Sequence, residues 1–212
     1  YACLRIQNMQ GTSAVVECEE MYSIYGNKTL VYIDSINGNG SAILRCPKVR
    51  NSYSAQARAT ILTANYVNYF RFEGNIYCDA TGSKSNGVLN ISNNNQNYME
   101  IVGNIYTDLG YAINITRGNT QGYFEGNAYC NTDTSSLPTG ATKPSAIYMI
   151  NAPDGSGGKK FKIRNSAIYQ KATGSACIFK AMQNVAVNVD YYLELDSVQL
   201  YVADGVTNSI YG

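Results

Sequence analysis

Histidine and tryptophan are missing from the 212-residue chain, proline occurs four times, and only 15% of residues carry a charge. Without imidazole there is no Ser-His-Asp triad, no Cys-His pair, no His-ligated zinc and no imidazole general base. A formal charge of +1 argues against a nucleic-acid partner, which calls for a basic face. No apolar run is long enough to span a bilayer, so membrane insertion is not expected. Neither a cofactor nor a metal is expected. Residue 1 is Tyr rather than Met and no secretion signal is visible, which points to a mature chain or a fragment. What is plentiful is Tyr (19), Gly (19) and Asn (24).

Six cysteines, Cys3, Cys18, Cys46, Cys78, Cys130 and Cys177, are far apart and mostly set in apolar runs. There is no Cys-x-x-Cys pair for a metal or redox site. They read as buried reduced thiols, packing as small hydrophobes after folding in a reducing compartment. Disulfides between neighbouring coils remain open.

Internal repeats decide the fold. Phe70-Arg-Phe-Glu-Gly-Asn-Ile-Tyr77, Met99-Glu-Ile-Val-Gly-Asn-Ile-Tyr106 and Gly122-Tyr-Phe-Glu-Gly-Asn-Ala-Tyr129 match closely. Phe161–Tyr169 and Leu193–Tyr201 are looser copies. Short strands interleave with them: Leu4–Ile6, Val31–Ile33, Leu62–Ala64, Leu89–Ile91, Ile113–Ile115, Ile147–Met149 and Ile178–Lys180. Each unit then holds three strands, the second alternating with period 2 and joined to the third by a Gly-Asn turn. No segment keeps a helical period with caps. The expectation is an all-β solenoid of about seven coils, with residues 1–212 a single domain and a segment of a longer chain. Neither end carries an obvious cap against edge pairing.

With these repeats the chain resembles the right-handed parallel β-helix superfamily, the fold of pectate lyases and many phage tailspikes. In that family Asn residues stack at the turn between the second and third strands. Asn75, Asn104 and Asn127 match the position, whereas Asn165-Ser166 and Ser197 depart from it with one extra residue each.

Matching positions in a stacked helix form columns. Phe72, Ile101, Phe124, Ile163 and Leu195 form one apolar column, and Ile76, Ile105, Ala128, Ile168 and Leu200 another; both are expected in the core. The next residue then faces out, giving a stripe of Tyr77, Tyr106, Tyr129, Tyr169 and Tyr201 that extends to Tyr25 and Tyr53. This stripe reads as an aromatic ladder, a subunit contact or a platform for sugar rings. Arg71, Glu100, Tyr123, Lys162 and Glu194 form an outward column beside Glu73, Val102, Glu125, Arg164 and Asp196, with signs alternating between rungs as solvated ion pairs do.

Another outward column, on the first strand, is expected to hold Arg5, Tyr32, Thr63, Asn90, Asn114, Tyr148 and Phe179. Polar, weakly charged and studded with aromatics, it suits a glycan. The loops Asn131–Ala146 and Ala152–Lys160 flank it and would wall a groove. The family resemblance points to the same face. Candidate ligand contacts there are Tyr32, Asn90, Asn114, Tyr148 and Lys159. The Asn90-Ile-Ser and Asn114-Ile-Thr sequons lie in strands and read as surface columns.

Glycoside hydrolysis needs two carboxyl groups, about 5–5.5 Å apart for retention or 6.5–9.5 Å for inversion. Asp79 and Asp108 share one position on adjacent rungs, but Asp at a strand end is usually a turn residue. Asp133 and Asp154 lie on the groove loops. A lyase would need a base such as Arg or Lys beside an acidic sugar, often with calcium, and no tight acidic cluster is visible. The leading expectation is non-catalytic recognition of a bacterial surface polysaccharide by a homotrimeric phage tail fibre or tailspike. Such a protein would fold in the host cytoplasm and work on the virion or outside the cell. A polysaccharide depolymerase of the same fold and a structural spacer are the alternatives.

Overall fold

The computed structural model describes residues 4–7, 11–23, 29–34, 40–52, 60–64, 67–78, 88–92, 97–108, 111–115, 120–131, 145–150, 160–170, 177–182, 192–202 and 210–211. These hold strands and no helix. In chain order they are β1 (Leu4–Gln7), β2 (Ser13–Glu17), β3 (Glu20–Ser23), β4 (Val31–Asp34), β5 (Gly40–Asn51), β6 (Ile61–Ala64), β7 (Val67–Cys78), β8 (Leu89–Ser92), β9 (Asn97–Val102), β10 (Ile105–Thr107), β11 (Ile113–Ile115), β12 (Thr120–Cys130), β13 (Ser145–Ile150), β14 (Lys160–Gln170), β15 (Cys177–Met182), β16 (Tyr192–Val202) and β17 (Ile210–Tyr211).

The strands form two stacked sheets and every pairing is parallel. The first sheet runs β1-β4-β6-β8-β11-β13-β15-β17. The second runs β16-β14-β12-β10-β7-β5-β2, with β3 beside β5 and β9 between β7 and β12. Each strand thus pairs with its equivalent one coil away. This is an all-β parallel solenoid, as the repeats imply.

Three short strands per coil is corrected to two sheets. The second and third repeat segments run on as one bent strand in β5, β7, β12, β14 and β16, and separate only at β2/β3 and β9/β10. The apolar columns fill the space between the sheets. Phe72, Ile101, Phe124 and Ile163 are closed from solvent, as are Ile76, Ile105, Ala128 and Ile168, with Leu44 and Val49 continuing them on β5. That closed core spans about four turns rather than the seven coils expected. Leu195 and Leu200 occupy the inward register but are 41% and 38% exposed, since among the described residues no strand of the second sheet stacks beyond β16.

The bend falls at a column of glycines where neighbouring coils nearly touch. Gly74, Gly103 and Gly126 have φ of 145°, 131° and 143°, a region open to glycine and costly for other residues. A Cβ on Gly103 would stand 1.8 Å from the Gly74 carbonyl oxygen, and one on Gly126 2.0 Å from that of Gly103.

Later coils turn the corner differently. Glu125 pairs with Arg164 and Asn127 with Ala167, so Asn165 and Ser166 together oppose Gly126. Asn165 (φ 46°) takes the left-handed conformation, as does Ser197 (φ 56°) in β16. The Ser166 hydroxyl accepts a bond from the Gly126 N–H at 3.2 Å and donates to the Arg164 carbonyl at 2.6 Å. This extra residue is the one the sequence marks. A second insertion, Cys46-Pro47 against Gly74, is marked by no repeat.

Gly103→Ala is expected to lower stability by at least about 2 kcal/mol, since backbone must move in two coils. Gly11→Ala is the control: it has φ of 62° but nothing within 4 Å, so about 1 kcal/mol is expected. Urea-unfolding midpoints of the two variants decide it. Equal losses would contradict the close approach at the corner.

Candidate binding surface

Two ladders dress the second sheet. At the bend, the Asn75 Oδ1 accepts from the Asn104 N–H and the Asn104 Nδ2, both at 3.0 Å. The Asn104 Oδ1 accepts from the Asn127 N–H at 2.9 Å, and the Asn127 Oδ1 from the Ala167 N–H at 3.0 Å. Each carboxamide thus satisfies a backbone donor that the bend withdraws from ordinary strand pairing. The Asn75 Nδ2 donates in the other direction, to the Pro47 carbonyl at 3.2 Å.

One step further along, Tyr77, Tyr106, Tyr129, Tyr169 and Tyr201 stack ring on ring. Successive centroids are 4.8, 4.7, 4.6 and 4.6 Å apart, with interplanar angles of 5° or less. Register extends this column to Arg50 and Tyr22, not to Tyr53 and Tyr25, which lie outside the described residues. The Arg50 guanidinium carbon stands 5.8 Å from the centre of the Tyr22 ring.

The stack changes what the stripe can do. A sugar packs on the face of an aromatic ring, and here most faces are already covered by the next tyrosine. What the half-buried rings present is a line of phenol edges. Among the described residues no second ring lies on Tyr77, because the following rung carries Arg50. There a cavity of about 200 Å³ is lined by Arg50, Tyr77, Cys78, Tyr106, Thr107 and Asp108. Asp108 is exposed, and its Oδ1 accepts from the Asn131 Nδ2 at 3.4 Å. Arg50, Asp108 and two tyrosines line this opening beside the buried Cys78 and Thr107. Arg50 and Thr107 were not singled out from the sequence, since neither matches a repeat residue.

The charged columns follow the expected order, headed by Val15 and Ile43 in one and by Glu17 and Arg45 in the other. Arg45 meets Glu17 at 2.5 Å and Glu73 at 3.3 Å, Arg71 pairs with Glu73 and Glu100, and Arg164 meets Glu125 at 2.9 Å. Lys162 bridges Glu194 and Asp196, each at 3.0 Å. The Arg164 guanidinium also lies 3.6 Å from the centre of the Tyr123 ring. These side chains are largely paired with one another.

The first sheet differs from expectation by one residue in two rungs. Tyr32 pairs with Leu62 and Tyr148 with Lys180, so the residues in register with Arg5 and Tyr32 are Leu62, Asn90, Asn114, Tyr148, Lys180 and Tyr211. Thr63 and Phe179 fall in neighbouring columns. Asn90 and Asn114 are only 9% and 4% exposed, which leaves little of either for a ligand. Tyr32 is half-buried and donates to the Asp34 Oδ2 at 3.4 Å, with Arg5 5.3 Å from its ring centre. Burial, then the Asp34 carboxylate, pushes the Tyr32 phenol up.

Of the candidate carboxylates, Asp79, Asp133 and Asp154 lie outside the described residues, as do Lys159, the Tyr148 side chain and most of both flanking loops. Among the described residues no cluster of acidic or thiol side chains could hold a metal. The ladder and the Asp108 cavity are therefore the features brought together. No family model, curated protein or solved structure matches the chain. The class that fold and surface define is a parallel β-solenoid with an aromatic ladder.

The stack has a titration signature. Burial, then the adjoining phenols, pushes Tyr106 and Tyr169 above the ordinary 10.0. The folded chain then keeps protons that the unfolded chain has lost, so this stabilisation is whole below about pH 10 and declines as pH rises through the folded values. Phenolate absorbance should show these tyrosines titrating above pH 10, with the urea midpoint falling over the same range. Tyr106→Phe should soften that fall. Ionisation of Tyr106 or Tyr169 below pH 10 would contradict the stack.

Proposed function

We propose that this solenoid recognises a bacterial surface polysaccharide without cleaving it, as a segment of a homotrimeric phage tail fibre or tailspike. The observation that carries the reading is the opening at the end of the tyrosine stack. Arg50 and Asp108 there line a cavity with Tyr77, an end ring of the ladder that among the described residues stacks on Tyr106 alone. Sugar recognition combines an apolar aromatic face with planar, charged hydrogen-bonding groups, and this cavity supplies both. The phenol edges continue from it at 4.6–4.8 Å intervals, which favours an extended chain lying along the rod over a single compact sugar. The resemblance to tailspikes supplies the setting on a virion or outside a cell.

Binding to a panel of capsular and lipopolysaccharide glycans tests the reading. Arg50→Ala and Asp108→Asn should each weaken binding about 5–30-fold, the loss of one or two charged hydrogen bonds. Lys162→Gln, on the ion-paired columns, should leave it unchanged. Release of reducing ends that is lost in Asp108→Asn would replace recognition by depolymerisation. No binding to any glycan would leave the spacer reading. Sedimentation equilibrium should give three times 23.1 kDa, and a monomer would overturn the trimer.

A further inference from the structure

Two thiols face each other where the first two rungs of the second sheet turn their corner. Glu17 pairs with Arg45 and Glu20 with Lys48, at the same 28-residue offset, so Cys18 lies one rung over Cys46. Parallel rungs are about 4.8 Å apart, inside the span that the Cα atoms of a disulfide take. The Cys18 N–H donates to the Arg45 carbonyl at 3.1 Å, which holds the upper residue in place. The Cys46 Sγ donates to the Lys48 carbonyl at 3.3 Å. Cys46 is closed from solvent, whereas Cys18 is half-buried at the edge of the core. Cys78 and Cys130 do not share this arrangement, because the Thr107 rung lies between them.

We propose that Cys18 and Cys46 form a latent inter-coil disulfide, closed by thiol–disulfide exchange with a small disulfide such as oxidised glutathione. The accessible Cys18 thiolate attacks one glutathione sulfur. A bond forms between them, the glutathione S–S bond breaks, and one glutathione thiolate leaves and takes up a proton. The Cys46 thiolate then attacks the Cys18 sulfur and expels the second glutathione thiolate, which is protonated in turn. Two protein thiols are oxidised, one glutathione disulfide is reduced to two thiols, and the two thiol protons end on the products. Burial, then the hydrogen bond with Cys18, pushes the Cys46 thiol up to about 11. The second step therefore waits on its deprotonation and is the slow one. The product staples the edge strands β2 and β3 to β5. A chain folded with reduced thiols would gain that staple on reaching an oxidising medium.

The full chain is incubated with oxidised glutathione, quenched with iodoacetamide, digested without reduction and mapped by mass spectrometry. The expected result is a Cys18–Cys46 linked peptide with the mass of two hydrogens lost. A rise of roughly 5 °C in the unfolding midpoint should accompany it and be reversed by dithiothreitol. Cys18→Ser should abolish both the link and the rise. Arrest at a glutathione adduct on Cys18, or linkage of either residue to Cys3, Cys78, Cys130 or Cys177, would overturn the assignment. The unmutated chain alone decides between these outcomes.

Discussion

Everything in this molecule depends on each rung of the second sheet lying in register over the one before it. Backbone hydrogen bonds run along the rod, so a side chain's closest neighbour is the residue at the same position one coil away. A position therefore has to tolerate its own kind at 4.6–4.8 Å. Apolar side chains do so by packing, carboxamides by passing hydrogen bonds from coil to coil, and phenols by stacking. Charges do so only by alternating, as Glu17, Arg45 and Glu73 do, and Glu125, Arg164 and Asp196. An exposed ion pair contributes about 0–1 kcal/mol, an aromatic pair about 0.5–1.5 kcal/mol beyond its burial and a net hydrogen bond about 1 kcal/mol. The Asn and Tyr ladders, beside the apolar core, thus hold the register more firmly than the charged columns.

The same constraint explains where the surface becomes available. A continuous stack covers its own faces, so a ring face opens only where the column is interrupted. Arg50 makes that interruption, and the cavity with Tyr77 and Asp108 lies there. At the other end Tyr201, 45% exposed, closes the stack and donates to the Gln199 Oε1 at 2.8 Å. The glycine corner is the tight version of the bend, and the Asn165-Ser166 insertion is a looser one that keeps its backbone donor satisfied through a hydroxyl.

The second sheet was legible in the sequence because Gly-Asn-x-Tyr recurs at the same place in three successive coils, after an alternating apolar strand. Its inward and outward columns follow directly, as do the Asn and Tyr ladders. The first sheet was less so. Ile61-Leu62 and Ile178-Phe179 each offer two adjacent apolar residues, and either can be turned inward. A slip of one residue exchanges the faces of a strand. The adopted register buries Ile61 completely and sets Phe179 opposite Ile147. Residue type alone would put Tyr25 and Tyr53 in the stripe, whereas the register puts Tyr22 and Arg50 there. Of the cavity, the repeats mark Tyr77, Tyr106 and Asp108 but not Arg50 or Thr107, and no repeat aligns Cys18 with Cys46.

Dityrosine formation reads the central claim, in-register stacking, on the unmodified chain. Brief photo-oxidation should link Tyr77 to Tyr106, Tyr106 to Tyr129, Tyr129 to Tyr169 and Tyr169 to Tyr201, with cross-linked peptides identified by mass spectrometry on monomer-sized bands. Links that skip a rung, such as Tyr77 to Tyr129, or that join these tyrosines to residues of other columns in preference to one another, would contradict it.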